Sequence, residues 1–270
     1  MANRKLKIGL HDFLNAQPLL QPLQEKRQAL GLSVVTGPPA DLAVQLQEGK
    51  LDLAMIPSIE YLRDMEDYRL LPGVAIASRG PVDTVLLAAR CSLDQVASIA
   101  LDNRSRTSVA LLEILFGETF PWNIFYDRVA PDPAAMLEKH DAALIIGDLA
   151  FGLKTLYPDL QFYDLSERWL ELTGKAFVHA VVAVREEVVL DHDFLVVFQE
   201  AKAEGLARLE DIARAHSERL GISPDAGLDY LSRKIIYDLG KPELEGLQTF
   251  RDLCFQKGII EQKGRIRFVS

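Results

Sequence analysis

Short β-branched runs alternate with helical patterns from the start of the chain: LKIGL, NAQPLLQPLQEKRQAL, LSVVTG, PADLAVQLQEGK and LDLAMIPS. The strand-like runs are hydrophobic at consecutive positions, as strands covered on both faces must be, so the pattern predicts an α/β fold with a largely parallel sheet. In PADLAVQLQEGK the apolar positions Leu42, Val44 and Leu46 lie between a start signal at Pro38 and Pro39 and a stop at Gly49. A second block begins near residue 92, where SLDQVASIALD leads to the helix SVALLEIL, then NIFYDRVA, PAAMLEKH and AALIIGD. Between the blocks VAIASRGPVDTVLLAA reads as two strands around a Gly80-Pro81 turn, and FVHAVVAVRE at 177–186 reads as one long strand. Both are candidate crossover segments. Beyond them the chain turns helical, with Phe194, Val197, Phe198, Ala201 and Leu206 recurring at helical intervals.

No internal repeat or Gly/Ser linker divides the chain. If it passes from one lobe to another and returns, residues 1–88 and 180–270 build lobe one, residues 89–179 build lobe two, and a cleft between them can take a small ligand. A single extended sheet gives similar local patterns.

Composition narrows the possible partners. A chain of 270 residues, 49% of them hydrophobic, can bury one large core or two moderate ones. Its net charge of -9 removes the global positive field that nucleic acid or an anionic membrane surface requires. Any anionic ligand must therefore be held by local chemistry; a small molecule is the expected partner, and a homodimer is compatible with the sequence. The opening MANRKLKIGLHDFLNAQPL is basic, but His11, Asp12 and Asn15 interrupt what a secretory signal needs as a continuous apolar run. No stretch approaches the roughly 20 apolar residues of a membrane span. Cys91 and Cys254 lack metal-like or redox spacing and are expected as free thiols. The expected location is the cytoplasm.

Candidate chemistry lies at the strand ends. In DNRSRTSVALLEIL, starting at Asp102, a predicted strand closes and Ser105 or Thr107 is a natural N-cap. Ser105, Arg106, Thr107 and Ser108 then stand at a helix N-terminus, where free N–H groups, hydroxyls and a guanidinium suit a carboxylate. The alternative is an ordinary cap whose arginines pair with Asp102 or Asp127. Three other strand ends share the layout: Asn15 after the first strand, Ser58 after Pro57, and Gly147 with Asp148 after AALII. Taken singly each reads as a cap, yet ligands gather at the carboxyl ends of parallel strands, so these loops can converge.

Standard catalytic sets are absent. His11, His140, His179, His192 and His216 show no metal-binding spacing, and there is no nucleophile elbow, P-loop or dinucleotide fingerprint, so neither a metal nor another cofactor is expected. His179 reads either as a pocket residue or as a hydrogen-bonded core histidine.

LNAQPL, LDLAMIPSIEYL, GPVDTVLL, DNRSRTSVALL, AALIIGDLA and DLSERWLELTGKAFVHAVVAV occur in this order, and together they resemble the chorismate dehydratase family of the futalosine route to menaquinone. The resemblance runs from about residue 6 to 186. It implies a two-lobed periplasmic-binding-protein-like fold of type II, used as an enzyme, with chorismate between the lobes and dehydrated to 3-[(1-carboxyvinyl)oxy]benzoate. It also implies catalytic roles for Asn15 and for Thr84, which stands where the family more often has serine. Threonine keeps the hydroxyl but stiffens χ1. Loss of the C4 hydroxyl and the C3 proton aromatises the ring, so positioning can supply much of the catalysis, with the substrate's own enolpyruvyl carboxylate taking the proton. Two rival readings stay open: a non-catalytic small-carboxylate binding protein, and the sibling 1,4-dihydroxy-6-naphthoate synthase.

Overall fold

A computed structural model describes residues 5–28 and 31–269. Ala29 and Leu30, the expected end of the first helix, and Met1 to Arg4 of the basic N-terminus lie outside the described residues. The first lobe opens with β1 (Leu6–Leu10), a 3-10 turn at Leu14–Ala16, α1 (Gln17–Lys26) and β2 (Leu32–Thr36). It continues with α2 (Pro39–Gln47), β3 (Leu53–Pro57), α3 (Ser58–Arg63) and β4 (Tyr68–Ser78). The chain then crosses to β5 (Val85–Ala89), β6 (Ser98–Asp102), α4 (Thr107–Phe116), β7 (Phe125–Val129), α5 (Pro133–Lys139) and β8 (Ala142–Ile146). A 3-10 turn at Gly147–Ala150, α6 (Leu153–Leu156), β9 (Gln161–Asp164) and α7 (Leu165–Thr173) complete the second lobe. The return strand is β10 (Phe177–Arg185), followed by α8 (His192–Leu206), α9 (Leu209–Leu220), α10 (Pro224–Asp229), a π-helical turn at Tyr230–Lys234 and α11 (Lys241–Gln256).

Two five-stranded sheets result, ordered β2-β1-β3-β10-β4 and β7-β6-β8-β5-β9. Within the first, β1 pairs parallel with β2 and β3, while β10 runs antiparallel to both its neighbours. The second repeats the scheme: β6 pairs parallel with β7 and β8, and β5 runs antiparallel to β8 and β9. The expected largely parallel sheet is thus two mixed sheets. The reversed strands, β5 and β10, are the ones that enter a lobe from the other lobe. Both start beside the gap between the sheets and must run away from it, whereas their neighbours run toward it.

The two crossings shift the expected lobe boundaries. The division at 88/89 falls inside β5, a strand of the second sheet, and that at 179/180 falls inside β10, a strand of the first. The chain changes sheet at 79–84, the expected Gly80-Pro81 turn, and again at 174–176.

Strands β3, β5 and β8 are buried at every position, which explains their unbroken apolar runs. The edge strand β7 instead carries Asp127 and Arg128, charges that discourage pairing with another chain. In α2, Leu42 and Leu46 are buried but Val44 is exposed, because two residues along a helix lead to nearly the opposite face. Helix α4 is apolar on most of its surface because it touches β8, α7, α3, α11 and β10, elements from both lobes. One hydrophobic cluster accordingly runs through both sheets, from Ile8 to Val269. Against this core α8 packs on α1 so closely that a Cβ on Gly205 would sit 1.7 Å from the Pro18 carbonyl oxygen. Among the described residues no helix is long and apolar enough to cross a membrane, and Cys91 and Cys254 are unpaired.

Candidate active site

The carboxyl ends of β1, β3, β6 and β8 open toward one gap between the lobes, and the starts of β5 and β10 lie beside the ends of β8 and β3, with which they pair. The gap holds about 580 Å³ of empty space, its open mouth included. Asn15, Thr84, Ser105, Arg106, Thr107, Ser108 and Gly147 all line it. Parallel-strand geometry brings together residues separated by more than a hundred positions.

Asn15 sits in the 3-10 turn after β1. Its Nδ2 donates to the Tyr230 hydroxyl at 3.1 Å, while its Oδ1 is buried without a partner among the described residues. Thr84 lies 3.0 Å from the same Tyr230 oxygen. Its position depends on Asp83, which adopts φ +58, a left-handed conformation that costs a non-glycine residue about 1 kcal/mol or more. Neighbouring contacts hold it there: Val82 N and Asp83 N both donate to Asp164 Oδ2, at 2.9 and 2.6 Å, and the Asp83 carboxylate pairs with Lys154 and Lys234. Asp164 also caps α7 through its other oxygen, so one buried carboxylate joins the crossing to the second lobe. Burial raises its pKa, against the lowering effect of the amides that donate to it.

The helix mouth differs in detail from expectation. Arg106 occupies the N-cap of α4 and no side chain caps the helix, so neither Ser105 nor Thr107 serves as a cap. Among the described residues, Ser105 Oγ is buried without a partner, as is Arg106 Nε. Arg104, which precedes the four helix-mouth residues in the sequence, also lines the cavity. It meets the fully buried Asp102 through two parallel contacts of 2.9 and 2.6 Å and lies over the Phe13 ring at 5.3 Å. The ordinary pairing foreseen for an arginine is therefore made by Arg104 with Asp102, while Asp127 pairs with His140. Arg106 lines the gap and has no ion-pair partner among the described residues.

Two expected ligand contacts do other work. Ser58 Oγ donates to the Val178 carbonyl at 2.7 Å and lies 3.4 Å from Thr107 Oγ1, which also receives the Ile59 N–H. Ser58 is fully buried and fastens α3 and β10 to the mouth of α4 instead of facing the cavity. Asp148 accepts from Leu14 N at 2.9 Å and pairs with Arg219, so it anchors the turn that carries Asn15. Neither caps its own helix, because Pro57 and Ile146 take the N-cap positions. Gly147 stays at the wall: its φ is +66, and a Cβ there would come within 3.0 Å of the Phe13 ring.

Two histidines complete the lining. His11 follows β1, its Nδ1 without a partner among the described residues, and His179, early in β10, shares Nε2 with Ser78 Oγ at 2.9 Å and Ser166 Oγ at 3.3 Å. Both alternatives for His179 hold at once, since it is hydrogen-bonded and also faces the cavity. Burial lowers both pKa values to about 4, with Asp12 weakly opposing this at His11. Both rings are neutral at pH 7. Among the described residues no aspartate or glutamate lines the gap, and no three His, Cys, Asp or Glu side chains gather to hold a metal ion.

His11 was within reach of sequence reading, because it belongs to the same strand-end loop as Asn15. Tyr230 carried no local signal: it arrives from a helical region 146 residues beyond Thr84.

The sequence matches the menaquinone biosynthesis family over residues 6–256. The chain belongs to that family. Among curated proteins it is 31% identical over 264 residues to the chorismate dehydratase of Thermus thermophilus, covering 92% of this chain and 95% of the relative. Among solved structures it resembles a protein of Archaeoglobus fulgidus, with TM-score 0.77 at 18% identity over 96% of this chain and all of that one. It also resembles the alkanesulfonate-binding protein SsuA of Xanthomonas axonopodis, with TM-score 0.70 at 16% identity over the whole chain and 97% of that protein. Such identities speak for the fold, and the two-lobed periplasmic-binding-protein-like architecture is the one expected. The family match spans both lobes and every residue of the gap described above.

Proposed function

We propose that this chain is a lyase that dehydrates chorismate to 3-[(1-carboxyvinyl)oxy]benzoate at the start of the futalosine route to menaquinone. One observation carries the reading: four buried polar atoms without partners, His11 Nδ1, Asn15 Oδ1, Ser105 Oγ and Arg106 Nε, belong to side chains lining a single gap between the lobes. Buried polar groups are otherwise nearly always satisfied, so their convergence calls for a ligand rich in hydrogen-bonding groups. Family membership and the Thermus relative name its chemistry.

In this reading the unpaired Arg106 charge, with Ser105 and the free N–H groups of α4, receives one carboxylate. Arg104, already neutralised by Asp102, adds a donor-rich wall beside Phe13. The lining has no carboxylate and its histidines are neutral with pKa values about 4, so the protein offers no strong base. The enolpyruvyl carboxylate of the substrate takes the C3 proton. The C3–H electron pair forms the new ring double bond, the C4–O bond breaks, and the departing hydroxide takes up the proton that the carboxylate accepted and leaves as water. Aromatisation drives the step and the cavity supplies orientation.

Incubating purified protein with chorismate and following aromatic absorbance, with mass analysis of the product, tests the proposal. Asn15→Ala is expected to lower turnover by about 100-fold or more with a thermal midpoint near that of wild type. Chorismate bound but unchanged by the wild-type protein, or near-normal turnover in the variant, would refute it.

A further inference from the structure

Tyr230 is buried at the end of the α10 segment, its ring nearly perpendicular to that of Phe151 with centroids 5.1 Å apart, and its hydroxyl is shared by Asn15 and Thr84. A phenol has one proton, and a buried one must give it to an acceptor. With Asn15 Nδ2 donating to the Tyr230 oxygen, Thr84 Oγ1 is the remaining neighbour that can receive the tyrosine proton. The Thr84 proton is then free to point into the cavity, and Asn15 Oδ1, which has no partner, is an acceptor beside it. Exchanging the two ends of the amide reverses the direction of every bond in the chain. It still leaves one donor and one acceptor facing the gap.

We propose that Tyr230 is a positioning residue that couples Asn15 and Thr84 in opposite senses, so that the pair reads a hydroxyl group. A hydroxyl both donates and accepts, whereas a carboxylate or a fluorine only accepts and leaves the inward acceptor unmet. The carboxylates of the ligand are therefore directed to the arginine-bearing helix mouth and the hydroxyl to the Asn15–Thr84 side. This rests on the chorismate reading and assigns the ring C4 hydroxyl, the group that departs, to that pair. Tyr230 touches no reacting atom and acts through its two neighbours.

The test compares two ligands and two proteins. Wild-type protein is titrated with the aromatic product carrying a hydroxyl at C4 and with its 4-fluoro counterpart, and Tyr230→Phe is measured with both. Wild type should bind the hydroxyl compound at least about 10-fold more tightly, and the variant should lose most of that preference. In Tyr230→Phe, kcat for chorismate should fall about 10-fold or more while affinity for the product, which carries nothing at C4, stays within about twofold of wild type. Equal wild-type affinities for the two ligands would overturn the assignment, and this arm needs no variant to fold. An equal loss of product affinity and turnover in Tyr230→Phe would also overturn it, since that marks a merely structural tyrosine. Failure of the chorismate reading is read separately: wild type then gives no aromatic product.

Discussion

Acidification should weaken this protein through the two histidines of the gap. Each has a folded pKa of about 4 against an ordinary value of 6.5. The unfolded chain therefore binds protons that the folded chain refuses, and stability rises with pH across that window. The contribution is complete above pH 6.5 and is lost as the pH falls toward 4. At pH 5 an unfolded imidazole is almost fully protonated while a folded one is about one-tenth protonated, which amounts to about 2 kcal/mol for each ring. Together they remove about 4 kcal/mol, a large share of the 5–15 kcal/mol typical of a folded domain. Asp148 and Asp164, whose pKa values are raised by burial, act in the opposite sense, so the histidine effect must be read as a difference. Denaturant unfolding of wild type and of the His11→Gln/His179→Gln double variant at about pH 7.5 and pH 5 isolates it. Wild type should lose about 4 kcal/mol more than the variant between the two conditions. If the two proteins lose stability in parallel, to within about 1 kcal/mol, the histidines are not held neutral by the fold and the reasoning fails.

Gly205→Ala would drive a methyl group into the Pro18 carbonyl, and since that obstacle is backbone, α8 must move off α1. A loss of about 3 kcal/mol or more is expected, seen as a lower thermal midpoint. Arg104→Met would strand the Asp102 carboxylate, which is fully buried, at a cost of about 3–5 kcal/mol in denaturant unfolding. Adding Asp102→Asn to that variant should restore part of the loss.

The candidate site was partly legible because strand ends are. An apolar run that stops at Leu101-Asp102 or at Ile146 marks where a buried strand meets a loop, and parallel pairing brings such ends to one side. Asn15, Thr84, Ser105, Arg106, Thr107, Ser108 and Gly147 accordingly reach the cavity. Position alone does not settle direction. Ser58 and Asp148 stand at equivalent strand ends, yet Ser58 turns toward the Val178 carbonyl and Asp148 toward the Leu14 N–H, each satisfying a backbone group. The same limit applied to the caps: proline at 57 and the extended Ile146 took the N-cap sites that hydroxyl and carboxylate chemistry suggested.

The order of apolar runs and helical stretches determined that two layers of secondary structure would form, since each buried strand and each amphipathic helix needs a covered face. It also determined which loops would hold hydroxyls, an amide and guanidinium groups. Tertiary structure decided what those groups can do. Only the crossings at 79–84 and 174–176 set two sheets face to face, only Asp164 and the lysines hold Asp83 left-handed so that Thr84 meets the gap, and only packing against Phe151 places the Tyr230 hydroxyl between Asn15 and Thr84. Local sequence sets the period of burial along a segment. Hydrogen-bond direction depends on whichever partner arrives from elsewhere in the chain.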